Sequence, residues 1–371
     1  MEEKDATRGL RVGFATQEDN EAILKLSHRC FQEGMITLYP DRSPQFNRIH
    51  RQLDPESYHV VALQGESVIG LLGILHQELY LGDRPFKTAY FLDFKVAPEY
   101  RLGLTAYRLT RKAIEREVSQ GRRMGLATLL RGNKAVEVFT SGRVGFPASV
   151  YLGTNVVWNF IPLRKLKIDP QYPVSVPTEE DLPELVTLYN RYYSTYRLAP
   201  RMTLDLLKHY TTGIDGLGLD RFRVVRTNGK IRAVMAAWDE ESYKRFIVLR
   251  RNFNIRMMNF FIRMLALLFR MPAPIGRNLP LRQQTMVLYA HDGCEDAIGA
   301  LLRDQNNRLR GRGYSLFQMF IHEEDPIHRS FKGLTRVPVY SDIHLFTDTE
   351  ELASEVREME GLVHLEFPMH I

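Results

Sequence analysis

The order of elements constrains this chain most, because the same course is run twice. Thr16 opens a helix with Asp19 three residues on, a pairing that resembles a capping box. Residues 58–63 and 67–78 alternate around the turn Gln64-Gly65-Glu66, residues 90–96 form a strand, and a long helix follows. Residues 126–130 are a buried strand, a helix begins at Asn133, and residues 150–161 close the course as a strand. After a proline-rich stretch at 162–177, Thr178 and Asp181 repeat the opening. Strands at 222–226 and 231–238 flank Asn228-Gly229, the strongest short hairpin signal. A strand at 285–290, a helix at 295–309, a strand at 314–321, a short helix at 325–332 and a strand at 339–346 complete the second course. Repetition of a whole set of elements predicts an internal duplication.

The expected fold class is therefore α+β, with two domains, each a mixed, mostly antiparallel sheet flanked by helices. The boundaries expected are 1–165 and 174–347, with a helix at 348–358 and a strand at 362–367 as a C-terminal appendage. That last strand, separated from its own domain, is a candidate to add to the edge of the first sheet. At 371 residues and 44% hydrophobic content, each half can bury a core of its own. Prolines 40, 44 and 55 mark residues 31–55 as irregular, apart from a short helix expected around 46–53.

Residues 90–117 carry the chemistry. A strand ends at Pro98, and Leu102, Ala106, Leu109, Ala113 and Ile114 then recur at helical spacing, with Arg101 and Gly103 at the turn. Free backbone N–H groups and the positive end of a helix dipole meet there, which suits an anion. The net charge of +6 also suits anionic ligands, and no aromatic–basic ladder points to nucleic acid. The two cysteines, Cys30 and Cys294, offer neither a disulfide framework nor metal spacing. With an acidic, polar N-terminus and no apolar run long enough to span a bilayer, the expected location is the cytoplasm.

Val96-Ala97-Pro98-Glu99-Tyr100 and Arg101-Leu102-Gly103-Leu104-Thr105-Ala106 resemble the acyl-coenzyme-A-binding turn of the GNAT superfamily of N-acyltransferases. The arginine and final alanine match; Leu104 stands where the family has its middle glycine. A second block, Asn133, Ala135 and Gly145-Phe146, is similar to the family's next helix, with shifted spacing. The family's tyrosine, which reprotonates the leaving thiolate, has no counterpart there; Phe139 and Ser141 stand nearest. The resemblance implies acetyl-CoA as co-substrate, no metal, and a coenzyme site made by Phe94, Val96, Arg101, Leu102, Gly103, Leu104, Thr105, Ala106 and Asn133. It also implies a tandem arrangement with a degenerate second half.

The reaction implied is acetyl transfer to a primary amine, on a small molecule or a peptide, by direct attack in a ternary complex. The alternatives are transfer of a longer acyl chain, or a non-catalytic module that binds coenzyme A, an acyl chain or a protein. Strand alternation would put Tyr90, Leu92, Phe94 and Val96 on one face and Phe91, Asp93 and Lys95 on the other. Asp93 is then the candidate base, or a structural carboxylate paired with Lys95 or Arg101. Tyr90 and Tyr151 are candidate acids. The equivalent turn in the second half carries Asp292, Glu295 and Asp296 and no arginine, which would repel a pyrophosphate. Residues 255–271 form an amphipathic helix with Arg256, Arg263 and Arg270 seven apart. Its first reading is packing on or between the halves; its second is a membrane-surface contact or the wall of a greasy groove.

Overall fold

The computed structural model describes residues 9–101, 104–132, 149–347 and 349–364. In the first course the elements are β1 (Leu10–Phe14), α1 (Asn20–Arg29), β2 (Ile36–Asp41), α2 (Arg48–Leu53), β3 (Tyr58–Gln64), β4 (Ser67–Leu81), β5 (Arg84–Val96), α3 (Thr105–Ser119), β6 (Met124–Leu130) and β7 (Ser149–Phe160). The second comprises β8 (Val174–Ser175), α4 (Leu182–Tyr193), α5 (Leu204–Thr212), β9 (Phe222–Thr227), β10 (Lys230–Trp238), β11 (Arg245–Arg251), α6 (Phe253–Leu265), β12 (Gln283–His291), α7 (Glu295–Leu309), β13 (Leu316–His322) and β14 (Arg336–Thr347). A last helix, α8, spans Glu350–Glu358. The helix expected from Asn133 lies outside the described residues.

Twelve strands form one sheet in the order β1-β3-β4-β5-β6-β14-β7-β13-β12-β10-β9-β8. Only β5 with β6 and β12 with β13 run parallel; the other pairs are antiparallel. The expected mixed, mostly antiparallel sheet is therefore present. The two courses have exchanged their final strands. β14, from the second, lies beside β6, and β7, from the first, lies beside β13. These two strands pair with each other from Arg336↔Phe160 to Phe346↔Ser149, and this makes the sheet continuous.

A distant strand does join the first half's sheet, but it is β14 and its place is interior. The expected strand at 362–367 lies partly outside the described residues. Val363 makes a single parallel bridge with Arg197, and residues from 365 on lie outside the described set. The segment read as irregular contains β2, paired with β11 in a separate two-stranded sheet. Pro40 is tolerated because a strand of such a sheet is an edge strand, free on one side.

The apolar faces follow from this order. α1 and α3 cover one face of β3–β5, with Ile23, Leu26, Val61, Leu71, Val96 and Leu109 in that core. α4 and α7 cover β9, β10, β12 and β13. On the other face of the first half, Leu75, Tyr90, Leu92, Leu126 and Leu345 pack with Val356 of α8. α3 approaches β4 closely: a Cβ on Gly70 would sit 2.8 Å from Leu109 Cδ1 and 2.9 Å from Thr105 Cγ2.

Candidate functional site

β5 is bulged in its middle. Leu92 pairs with Gly73 and Lys95 with Leu71, so Asp93 and Phe94 together face Leu72. Asp93 takes φ +54°, a left-handed conformation in which Asp is enriched. The extra residue resets the alternation. Tyr90 and Leu92 enter one core, whereas Phe91 and Val96 enter the other. The expectation that Tyr90, Leu92, Phe94 and Val96 share a face is corrected by this bulge. A bulged strand bends, and β5 pairs with β6 only at Ala89↔Gly125 and Tyr90↔Leu126 before the two part. Gly125 marks that point, since a Cβ there would lie 2.4 Å from the Phe91 ring.

The bulge points the Asp93 carboxylate into a buried cluster. Its Oδ2 accepts from Arg42 Nη1, and Lys95 Nζ lies 2.6 Å from Oδ1. His50 Nε2 stands 3.3 Å from Oδ2. The side chains of Asp93, Arg42 and His50 are 6%, 2% and 1% exposed. Arg42 and Lys95 both lie over the ring of the fully buried Phe46. Burial alone would push the Asp93 pKa up; the charges of Arg42 and Lys95, with the His50 hydrogen bond, hold it well below the carboxylate range. A carboxylate so held is a weak proton acceptor. Burial pushes His50 down to about 4, and burial with His50 as neighbour pushes His59 well below its ordinary value, so both rings are neutral near pH 7. His50, His59 and Asp93 bring ligating atoms within 4.8 Å of one another, but the two cations on the carboxylate oppose a metal ion there.

Tyr90 is buried; its hydroxyl lies 2.5 Å from Thr128 Oγ1, and burial pushes it up to about 12. Tyr151 is 53% exposed and bonds Thr154 Oγ1 at 2.7 Å. It pairs with His344 of β14, which separates β7 from β6. At about 4.8 Å per strand, Tyr151 is some ~14 Å from β5, so it does not meet Asp93 or Tyr90. The Val96 carbonyl accepts from Arg101 Nε at 3.2 Å and lies 3.5 Å from the Cys30 thiol. Arg101 does not pair with Asp93; Lys95 does, as one of the two structural alternatives had it. Phe94 is partly buried in the bulge. At the helix entry, Leu104 is half exposed, Thr105 is buried and Ala106 lies between. Leu102, Gly103 and Asn133 lie outside the described residues.

No side chain caps α3, and its first turn carries no acid. Its N-terminal N–H groups therefore face outward beside the exposed Arg101, which fits an anionic pyrophosphate. The second course has the same bulge: Leu288 takes φ +49° where Val234↔Ala290 gives way to Ala236↔Val287. There β12 and β13 stay paired for four positions, and Tyr289 reaches across to the Phe320 carbonyl at 3.0 Å. Its helix entry is filled from within. Cys294 N–H donates to Asp292, Gly293 N–H to His291, and Glu295 and Asp296 occupy the first turn of α7.

Arg42 and His50 were not legible as site residues. They come from the segment at 31–55, Arg42 directly after β2 and His50 in α2. His59 and His76 are both buried, and His76 bridges Asp54 and Glu117.

No protein-family model matches this sequence, and no curated protein sequence matches it. Solved structures do match. N-myristoyltransferase of Saccharomyces cerevisiae with bound myristoyl-CoA superposes with a TM-score of 0.61 at 13% identity, covering 91% of this chain and 82% of that one. The same enzyme with myristoyl-CoA and inhibitors gives 0.60 over 91% and 80%. A GCN5-related N-acetyltransferase from Anabaena variabilis gives 0.50 at 11% identity, over 91% and 72%. No helix among the described residues is long and apolar enough to cross a membrane. With its large mixed sheet flanked by helices and its order of elements run twice, this chain has a GNAT-like fold.

Proposed function

We propose that the chain is an acyl-CoA-dependent N-acyltransferase whose first half, residues 1–165, holds the coenzyme. The acceptor is a primary amine that attacks the thioester directly in a ternary complex. The observation that carries this reading is the contrast between two equivalent helix entries. Neither helix has a side-chain cap, but the α3 entry is free of acid and flanked by Arg101, whereas at the α7 entry Asp292 and His291 take the N–H groups of the turn and Glu295 and Asp296 fill the first turn. The coenzyme's thioester supplies the activated acyl group. Arg101 and the α3 N-terminus bind the anion, and the parting of β5 from β6 gives the pantetheine arm a place between strands. Asp93 acts by fixing the bulge. The acyl group of first choice is acetyl. A longer chain is the second reading, supported by the yeast structures, which hold myristoyl-CoA and superpose on 91% of this chain.

A non-catalytic binding module is favoured by one observation: Asp93 is held ionised and Tyr90 is pushed up to about 12, so neither exchanges protons readily near neutrality. Thermal unfolding with free CoA, acetyl-CoA and myristoyl-CoA tests the binding, and thiol release with an amine panel tests the chemistry. Stabilisation by at least one thioester is expected, with thiol release on adding an acceptor. No stabilisation at millimolar ligand sinks the coenzyme site; stabilisation without thiol release with any amine leaves the binding module. Arg101→Glu should weaken coenzyme binding about tenfold or more.

A further inference from the structure

α6 is attached to the protein by one narrow stripe. Ile255, Met258, Asn259 and Ile262 face inward at helical spacing, and Asn259 exchanges two hydrogen bonds with the backbone of Ile275, at 2.7 and 2.9 Å. Much of the rest of its surface is apolar and unpacked. Phe253, Met257, Phe260, Phe261, Met264 and Leu265 are exposed on it, and the turn beyond exposes Leu267 and Leu268 by 85% and 80%. Soluble proteins rarely leave contiguous apolar patches this large without a use for them.

The charges around this patch have one sign. Between Glu241 and Asp292 the chain has nine basic residues and no acidic one. Arg250, Arg256, Arg263, Arg270 and Arg277 are exposed, and none is paired with an acid among the described residues. Arg256 and Arg263, seven residues apart on α6, line one border of its apolar face; the helix expected over 255–271 ends at Leu265, so Arg270 lies beyond it.

We infer that this face docks on an anionic lipid bilayer, with α6 lying in the plane of the interface. Apolar side chains enter the acyl boundary while the arginines remain at the level of the headgroups. A second copy of the chain is disfavoured, because a self-complementary contact would bring two arginine borders together. A convex, outward-facing helix also gives a protein partner no groove to fill, whereas a fluid surface wraps around it. The inference is independent of the acyl-transfer reading.

Sedimentation of the full chain with phosphatidylcholine vesicles, with and without one-third phosphatidylserine, tests it. Binding to the anionic vesicles is expected, weakened by salt, with little binding to the neutral ones. Phe261→Trp should show blue-shifted emission on adding anionic vesicles. Phe260→Ser with Leu268→Ser changes only exposed side chains and should abolish binding; Arg256→Glu with Arg263→Glu should lower it about tenfold or more. Absence of binding to either vesicle overturns the inference, as does binding that the serine variant leaves unchanged. A concentration-dependent dimer that the serine variant dissociates, without vesicle binding, assigns the face to a second copy instead.

Discussion

β5 and β12 make the same bend with different residues. Each breaks register with its neighbour at one place, marked by Asp93 at φ +54° and Leu288 at φ +49°. Aspartate visits this conformation readily; for leucine it costs about 1–2 kcal/mol. The second half holds its bend with packing and one hydrogen bond, from Tyr189 to the Leu288 carbonyl at 2.6 Å. In the first half the bend is held by charge, through Arg42 and Lys95. Both strand pairs part before the bend, β5 from β6 after Tyr90↔Leu126 and β12 from β13 after Met286↔Met319, and in the second half the Tyr289 hydroxyl donates across the gap to the Phe320 carbonyl. The fold thus tolerates either filling. The polar bulge lies in the half to which the proposed coenzyme site is assigned.

The largest test of this contrast is Asp93→Ala. It leaves Arg42 and Lys95 buried without their carboxylate and should cost about 3–5 kcal/mol in urea unfolding. Asp93→Asn retains a residue that accepts the left-handed conformation, so the difference between the two variants separates backbone from charge. A loss of under about 1 kcal/mol in Asp93→Ala would show that the cluster does not hold the bend.

Next in size is Gly70→Ala. The register places Ala233 of β10 where β4 has Gly70: Ala233 pairs with His291 as Gly70 pairs with Val96. The second half therefore carries the methyl that the first excludes. Adding it beside Leu109 and Thr105 should cost about 1–3 kcal/mol and push the α3 entry outward. Coenzyme-induced stabilisation should fall with it. Unchanged ligand response with reduced stability would show that the position of α3 does not set the anion site.

The doubled fold was legible because element order survives when residue identity does not. The hairpins at 64–66 and 228–229, the helices at 105 and 295 and the two threonine–aspartate openings all declare themselves locally. Strand exchange was not legible, since β7 and β14 present similar patterns and either fits either slot. The bulge was hidden too: one inserted residue among aromatic and β-branched neighbours leaves the pattern looking like plain alternation. Without the bulge, Asp93 reads as a free carboxylate, and its partners lie some forty to fifty residues upstream in a stretch that has no period.

Acid sensitivity offers a smaller measurement. His50 has a folded pKa of about 4, below its ordinary value of 6.5. Between those values the unfolded chain binds a proton that the folded chain does not. Stability due to His50 is therefore complete above about pH 6.5 and falls by about 1.4 kcal/mol per pH unit on acidification toward about 4. His50→Gln should reduce that slope, read as urea midpoints between neutral and mildly acidic buffer. An unchanged slope would assign the sensitivity to His59, His291, His322 or His344, which burial also pushes down.

The finest comparison lies in the paired helix openings. Thr16 N–H donates to Asp19 Oδ2 at 2.7 Å, and Thr178 N–H donates to Asp181 Oδ2 at 2.9 Å. As hydrogen bonds these are equivalent, and removing either carboxylate should cost about 1 kcal/mol. The surroundings differ. Asp181 also accepts from Arg226 at 2.5 Å, an arginine that reaches Glu184 as well, whereas Asp19 has no cation among its bonds. Asp181→Ala should therefore exceed Asp19→Ala by a few tenths of a kcal/mol, as befits a partly exposed pair. Arg226→Gln should bring the two costs together. If the costs are already equal, the Arg226 pair contributes nothing, and the openings are interchangeable in energy as they are in sequence.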